Sequence, residues 1–231
     1  MKTIGIIGGM GPLATVDLYR RIVLRTKSAK DQDHIHVIID SNTNIPDRTK
    51  AIIANGEDPT IELIKSAKML EQGGADFLIM PCNTAHYFID TIKSNVQIPF
   101  VNMLEETVNY TYNKYGKDTV VGIMATDGTI KSKIYEDYYS KVGIKTVIPD
   151  KTQEKIMKFI YDVIKSGKYD EGTDLLFECV EELKQMGAQV FLLGCTELSS
   201  AQYLYKFDGP FINPMEVLTE ASIVYAGGNL N

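Results

Sequence analysis

Hydrophobic positions along the chain follow two patterns that alternate from one end to the other. Short unbroken apolar runs occur at residues 3–8 (TIGIIG), 35–40 (IHVIID), 76–80 (DFLIM), 119–124 (TVVGIM), 144–148 (IKTVI) and 189–193 (QVFLL). Apolar residues at successive positions are expected of strands covered on both faces, as in a parallel sheet. Residues 99–103 (PFVNM) read as a further short strand. Between the runs, apolar residues recur every three or four positions, the helical period. Residues 59–74 bring Ile61, Ile64, Ala67, Met69 and Leu70 near one face and stop at paired glycines, a helix end. Residues 152–168 repeat the plan, with Thr152 as cap and Gly167 past the end, and residues 170–188 follow it again. Strand and helix alternate throughout, which predicts an α/β fold with mainly parallel sheets.

The two halves echo one another. IGIIGGMG near residue 5 matches VGIMATDGT near residue 122, each an apolar strand opening into a glycine-containing turn. Each half then carries a helix ending in GGAD (73–76) or MGAQ (186–189), directly before a strand that runs into a cysteine, Cys82 or Cys195. The pattern predicts two pseudo-symmetric α/β domains. The first takes residues 1–98 plus 209–231, its helix over 213–228 returning to pack on it; the second takes 99–208. Ligands of such sheets bind beyond the carboxyl ends of the strands, where both cysteines lie.

Composition narrows the class. Hydrophobic residues make up 44% and charged residues 23% of the 231 positions, ordinary for a soluble globular protein. A net charge of −6 gives no general attraction to nucleic acid or anionic membrane. No apolar stretch approaches the roughly 20 residues that span a bilayer, and the N-terminus reads as a first strand, not a signal peptide. Three cysteines do not make a disulfide framework. A cytoplasmic, reduced protein is the expectation.

Cys179, inside a helical run, reads as core. Cys82 and Cys195 differ: each follows a strand end, beside Asn83 and Thr84 or beside Thr196. A following helix would lower a thiol pKa from its usual value of about 8.5. Three other chemistries are open on the residues. Cys82 and His86 are four apart, but zinc needs three or four close ligands and no CxxC or HExxH spacing occurs. A Cys-His hydrolase would leave the second cysteine without a role. Gly9, Gly11 and Ala14 satisfy G-x-G-x-x-A after a strand, with Asp40 ending the next, as in dinucleotide sites. The interval to Asp40 is long, however, and Pro12 removes an amide that would face a pyrophosphate. Residues 42–52 read as a loop whose Arg48 suits a carboxylate if it points into the site; Lys165 reads as a basic last helical turn.

Cysteines on opposite walls of an interdomain cleft would suit proton transfer between the two faces of one carbon, a scheme that requires no cofactor and no metal. The motifs GIIGGMGP, IPDRT, MPCNTAH, ATDGT, VIKSGK and LGCTEL, in this order, resemble those of the cofactor-independent aspartate/glutamate racemase superfamily, most of all its aspartate racemase branch. The resemblance covers nearly the whole chain. It implies an active site in the interdomain cleft, with Cys82 and Cys195 as acid/base catalysts. Asn83, Thr84, Thr126 and Thr196 would hold the α-carboxylate and amino group, the Met10 loop would line the cleft, and Arg48 and Lys165 would hold a side-chain carboxylate. Glutamate racemases typically carry histidine after the second Cys-Thr; Glu197 there points to the aspartate branch and joins the substrate-binding set. The implied substrate is an acidic amino acid and the implied assembly a homodimer. Alternatives are a broad-specificity or glutamate racemase, a dicarboxylate isomerase, or a non-catalytic small-molecule binding protein.

Overall fold

The computed structural model describes residues 1–168 and 172–231. The chain divides into two compact units, one of residues 1–106 with 215–231 and one of residues 107–214. In the first unit, strands β1 (Ile4–Gly8), β2 (Val37–Ser41) and β3 (Phe77–Ile79) form a parallel sheet in the order β2-β1-β3. Ile4 stands opposite both Val37 and Phe77. The helix Pro12–Arg25 starts with proline at a position whose amide has no helical partner in any case. The helix Thr60–Gln72 ends in Gly73 and Gly74, and the chain then passes Ala75 under the sheet. A methyl group on Gly5 would stand 2.8 Å from the Ala75 Cβ, so this layer closes only because both residues are small.

The chain's last helix, Pro214–Tyr225, belongs almost wholly to this unit. Arg21 pairs with Glu216 and Arg25 with Glu220. Tyr225 meets Phe77 edge-on with ring centroids 4.8 Å apart, and the Lys2 amide donates to the Ala226 carbonyl.

The second unit repeats the plan. Strands β4 (Val120–Met124), β5 (Lys145–Val147), β6 (Val190–Leu193) and β7 (Phe211–Ile212) run parallel in the order β5-β4-β6-β7. The order β5-β4-β6 reproduces β2-β1-β3. Gly122 faces Ala188 as Gly5 faces Ala75, with a Cβ-to-Cβ approach of 3.1 Å. The GGA and MGA echoes therefore mark one packing solution used twice. Thus the fold is α/β with parallel sheets, as the periodicity predicts.

Four details differ from the sequence reading. Residues 99–103 contribute one bridge, Phe100 to Leu78, before the helix Met103–Tyr115 begins. The Asn102 side chain accepts from the Leu104 and Glu105 amides, capping that helix and ending the extended stretch. β7 went unpredicted because two residues carry no readable period. The segment predicted as one helix over 152–168 is α-helical at Gln153–Lys158 and π-helical at Phe159–Ile164, with the Lys165 amide bonded five residues back to Ile160. Thr152 takes the N-cap position as expected, but with its backbone carbonyl and not its side chain: its hydroxyl donates to Glu182, which also accepts the amides of Asp150, Lys151 and Thr152. Finally, Arg48–Ile53 is a short helix where a loop was expected, capped by Asp47 accepting from the Lys50 amide at 2.7 Å. The first residues of the run predicted over 170–188, Asp170 and Glu171, lie outside the described residues; the helix is described from Thr173 to Gln185.

Candidate active site

In the first unit, the carboxyl ends of three parallel strands lead to the residues singled out above. β1 runs into Gly9 and Met10, β2 into the 42–48 segment with Arg48, and β3 into Cys82, Asn83 and Thr84. Cys82 is 6% exposed and joins a core that includes Met10, Ile45, Leu63 and Ala85. Asn83 and Thr84 are buried beside it. The element that follows is a 3-10 helix, Thr84–Phe88, not an α-helix. Five residues of that kind offer Cys82 little of the dipole that the sequence suggests.

His86 is buried and uses both ring nitrogens. Nδ1 donates to the Cys82 carbonyl at 2.8 Å, and Nε2 accepts the Met103 amide at 3.3 Å. Burial pushes its pKa down to about 4, so the ring is neutral at pH 7. Zinc ligation and general-base catalysis by His86 would each require breaking one of these bonds. Among the described residues, no three His, Cys, Asp or Glu side chains converge.

The Gly9 amide donates to the Thr15 hydroxyl at 2.9 Å, and that hydroxyl donates to the Gly11 carbonyl. The turn thus spends an amide on its own helix that a pyrophosphate would need, which weighs against the dinucleotide reading. Arg48 Nη1 donates to the carbonyls of Ile45 and Pro46 at 3.1 and 2.8 Å. Its Nε is buried and makes no hydrogen bond.

In the second unit, Thr126 lies two residues past the end of β4 and Cys195 two residues past the end of the neighbouring β6, the strand ends being tied by a Gly194-to-Met124 hydrogen bond of 2.7 Å. Thr126 caps the helix Asp127–Lys131, accepting from Thr129. Cys195 is also 6% exposed, and it caps the helix Thr196–Tyr205. Its Sγ–H donates to Glu197 Oε2 at 2.8 Å, an oxygen that also accepts the Thr196 hydroxyl at 3.3 Å. Lys165 Nζ stands 3.2 Å from the other Glu197 oxygen and 4.9 Å from the Tyr161 ring centroid. Burial lifts the Cys195 thiol well above its ordinary range, the Glu197 charge adds to this, and Lys165 opposes it. The helix terminus therefore does not prevail at this cysteine.

Sequence reading gave no role to Tyr135 or Tyr139. Both are fully buried and stacked, and burial lifts the Tyr135 hydroxyl well above its ordinary range. Two aromatic residues four apart on one helical face were the available signal. Cys179 lies in the core of this unit, as expected.

The Asp/Glu/Hydantoin racemase family matches residues 7–221. The chain belongs to this family. It is an isomerase, an amino-acid racemase, and the resemblance carried by its motifs holds. An aspartate racemase of Picrophilus torridus superposes with a TM-score of 0.84 at 32% identity, over 100% of this chain and 96% of that one. The broad-specificity amino-acid racemase RacX of Bacillus subtilis is 25% identical over 224 residues, 95% of this chain and 96% of its own. A glutamate racemase of Francisella tularensis, solved with D-glutamate, shares the fold at a TM-score of 0.63 and 18% identity, covering 98% of this chain and 82% of that one.

Proposed function

We propose that this racemase acts on aspartate, without a cofactor, using Cys82 and Cys195 as its two acid/base groups. The observation that carries this reading is the duplicated cysteine: each unit sets one just beyond the third strand of the same strand order, equally buried, with threonine within two residues. In one direction the Cys82 thiolate removes the α-proton; the Cα–H bond breaks and an S–H bond forms. The Cys195 thiol then protonates the opposite face of the carbanion and becomes the thiolate. The reverse direction exchanges the roles.

The hydrogen bond from Cys195 to Glu197 supports Cys195 as the resting acid. Even an ordinary thiol costs about 2 kcal/mol to ionise at pH 7, and burial beside a carboxylate adds to that. Cys82 is then the base that acts first. Buried Asn83, Thr84, Thr126 and Thr196 are suited to hold the α-carboxylate and amino group, with Met10 packed behind Cys82. Arg48, its guanidinium braced by two carbonyls, and Lys165 are suited to the side-chain carboxylate. In this reading Glu197 serves the sulfur and Lys165 more than the substrate. The choice of aspartate is supported by the Picrophilus relative; broad specificity is the second reading, favoured by the Bacillus relative. A cytoplasmic homodimer completes the proposal, with sedimentation velocity as the check on assembly.

The test is incubation of reduced protein with L-aspartate in D2O, without added cofactor, following α-proton exchange by NMR and the enantiomer by chiral chromatography. Exchange with inversion is expected, each falling at least about 10²-fold in Cys82→Ala and in Cys195→Ala. Exchange without inversion would remove the second cysteine from the scheme. Inactivity on aspartate with turnover of other amino acids would move the substrate assignment to broad specificity.

A further inference from the structure

The segment after Cys82 poses a local problem that His86 solves. In an α-helix the Cys82 carbonyl would accept the backbone amide of residue 86, four positions on. Here the turn is tighter, and the His86 amide goes to the Asn83 carbonyl at 3.1 Å. The His86 side chain supplies the missing donor, Nδ1 to the Cys82 carbonyl at 2.8 Å. The other end of the ring accepts the Met103 amide at 3.3 Å. Met103 is the first residue of the helix Met103–Tyr115, whose next two amides are taken by Asn102. One imidazole therefore joins the backbone of the cysteine turn to the start of a helix.

A ring that donates from Nδ1 to a carbonyl and accepts at Nε2 from an amide is neutral and in the Nδ1–H tautomer. The ring is 1% exposed and packs edge-on against Phe100, with centroids 6.2 Å apart. No other hydrogen-bonding role is left to either nitrogen. We infer that His86 is a positioning residue of the racemase, fixing the backbone of Cys82 by bridging its carbonyl to the Met103 amide in the Nδ1–H form. The inference rests on the reading of Cys82 as an acid/base group. Its force comes from the geometric demand of proton transfer, in which a displacement of about 1 Å can cost about 10²-fold in rate. A side-chain brace is needed because the 3-10 turn itself holds the Cys82 carbonyl with no amide at the α-helical position.

Three measurements test this. The 15N spectrum of the histidine-labelled wild-type protein at pH 7 is expected to show His86 as the Nδ1–H tautomer, the minor form of imidazole in water; an Nε2–H signal would overturn the inference. The second compares His86→Asn, which keeps a donor toward the Cys82 carbonyl, with His86→Leu, which fills the apolar site better but donates nothing. Positioning predicts a kcat loss of about 10²-fold for Leu, a smaller loss for Asn, and KM within about threefold for both. A purely packing role predicts the opposite order and would overturn it. The third reads Cys82 without any substrate: in a Cys179→Ala/Cys195→Ala background, the alkylation rate of Cys82 should change several-fold with His86→Leu and less with His86→Asn. Equal rates would overturn the inference. A protein that turns over no amino acid would sink the catalytic reading, while the tautomer and the alkylation order would still decide His86.

Discussion

The Cys195 sulfur lies 2.8 Å from Glu197 Oε2, and the other oxygen of the same carboxylate lies 3.2 Å from Lys165 Nζ. The thiol is thus one end of a three-residue chain with a single countercharge. Burial does most to hold the proton on sulfur, and replacing the carboxylate by an amide removes the negative charge that adds to it. In a Cys82→Ser/Cys179→Ala background, Glu197→Gln should move the pH midpoint of Cys195 alkylation downward, and Lys165→Gln should move it upward. In the otherwise wild-type enzyme, Glu197→Gln should lower kcat by about 10²-fold. Its kcat/KM must fall equally for both enantiomers, because the equilibrium constant of racemisation is unity. An unchanged alkylation midpoint in the Gln variant would separate Glu197 from the Cys195 proton.

Cys179 is the internal control. Burial pushes its thiol up to about 12, and its side chain is wholly enclosed among Ile156, Phe159 and Leu176. Cys179→Ala should retain full turnover and lose about 1 kcal/mol of stability from the missing sulfur volume, read by urea unfolding. The native thiol should resist alkylation under conditions that modify an exposed cysteine.

Acid should destabilise the protein partly through His86. Its folded pKa of about 4 lies below the ordinary 6.5, so below pH 6.5 the unfolded chain takes up a proton that the folded chain refuses. The stability from keeping this ring neutral is therefore present above pH 6.5 and is lost as pH falls toward 4. At about 1.4 kcal/mol per unit, the loss is on the order of 3 kcal/mol. Urea unfolding of wild type and His86→Leu at pH 7 and pH 4.5 should show a smaller acid loss in the variant.

Two glycines with left-handed backbone should respond very differently to alanine. Gly9 has φ +88°, and a Cβ there would stand 2.4 Å from the Asn42 carbonyl carbon and oxygen; Gly74 has φ +93° and open space around it. Gly74→Ala should cost about 1–2 kcal/mol for conformation alone. Gly9→Ala should cost more than that, because the turn at the end of β1 must move, and it should take activity with it through the Met10 loop. Thermal unfolding of the two variants gives the order.

Strand positions were legible because a doubly covered parallel strand is apolar at successive residues, a signal that survives in five or six positions. The duplicated GGA and MGA sites were legible too, since they mark where helix, turn and strand approach too closely for larger side chains. The helix at Arg48–Ile53 was missed although Asp47 was a visible cap, because Pro46 and the polar residues before it suggested a loop. The π-helical turn before Lys165 left no sign in the 3.6-residue period. It sets the position at which Lys165 leaves the helix, and Lys165 then pairs with Glu197.

By itself, the sequence determined the alternation of strands and helices, the repeat, and the two cysteines just past equivalent strand ends. These follow from local periodicity and from residue types at fixed offsets. Only the tertiary structure decided what each cysteine meets. Glu197 turns back onto the Cys195 sulfur, and His86 bridges Cys82 to a helix 17 residues further along the chain. Thiol ionisation and imidazole tautomer depend on burial and on partners brought together by folding, and no local pattern in the chain specifies either.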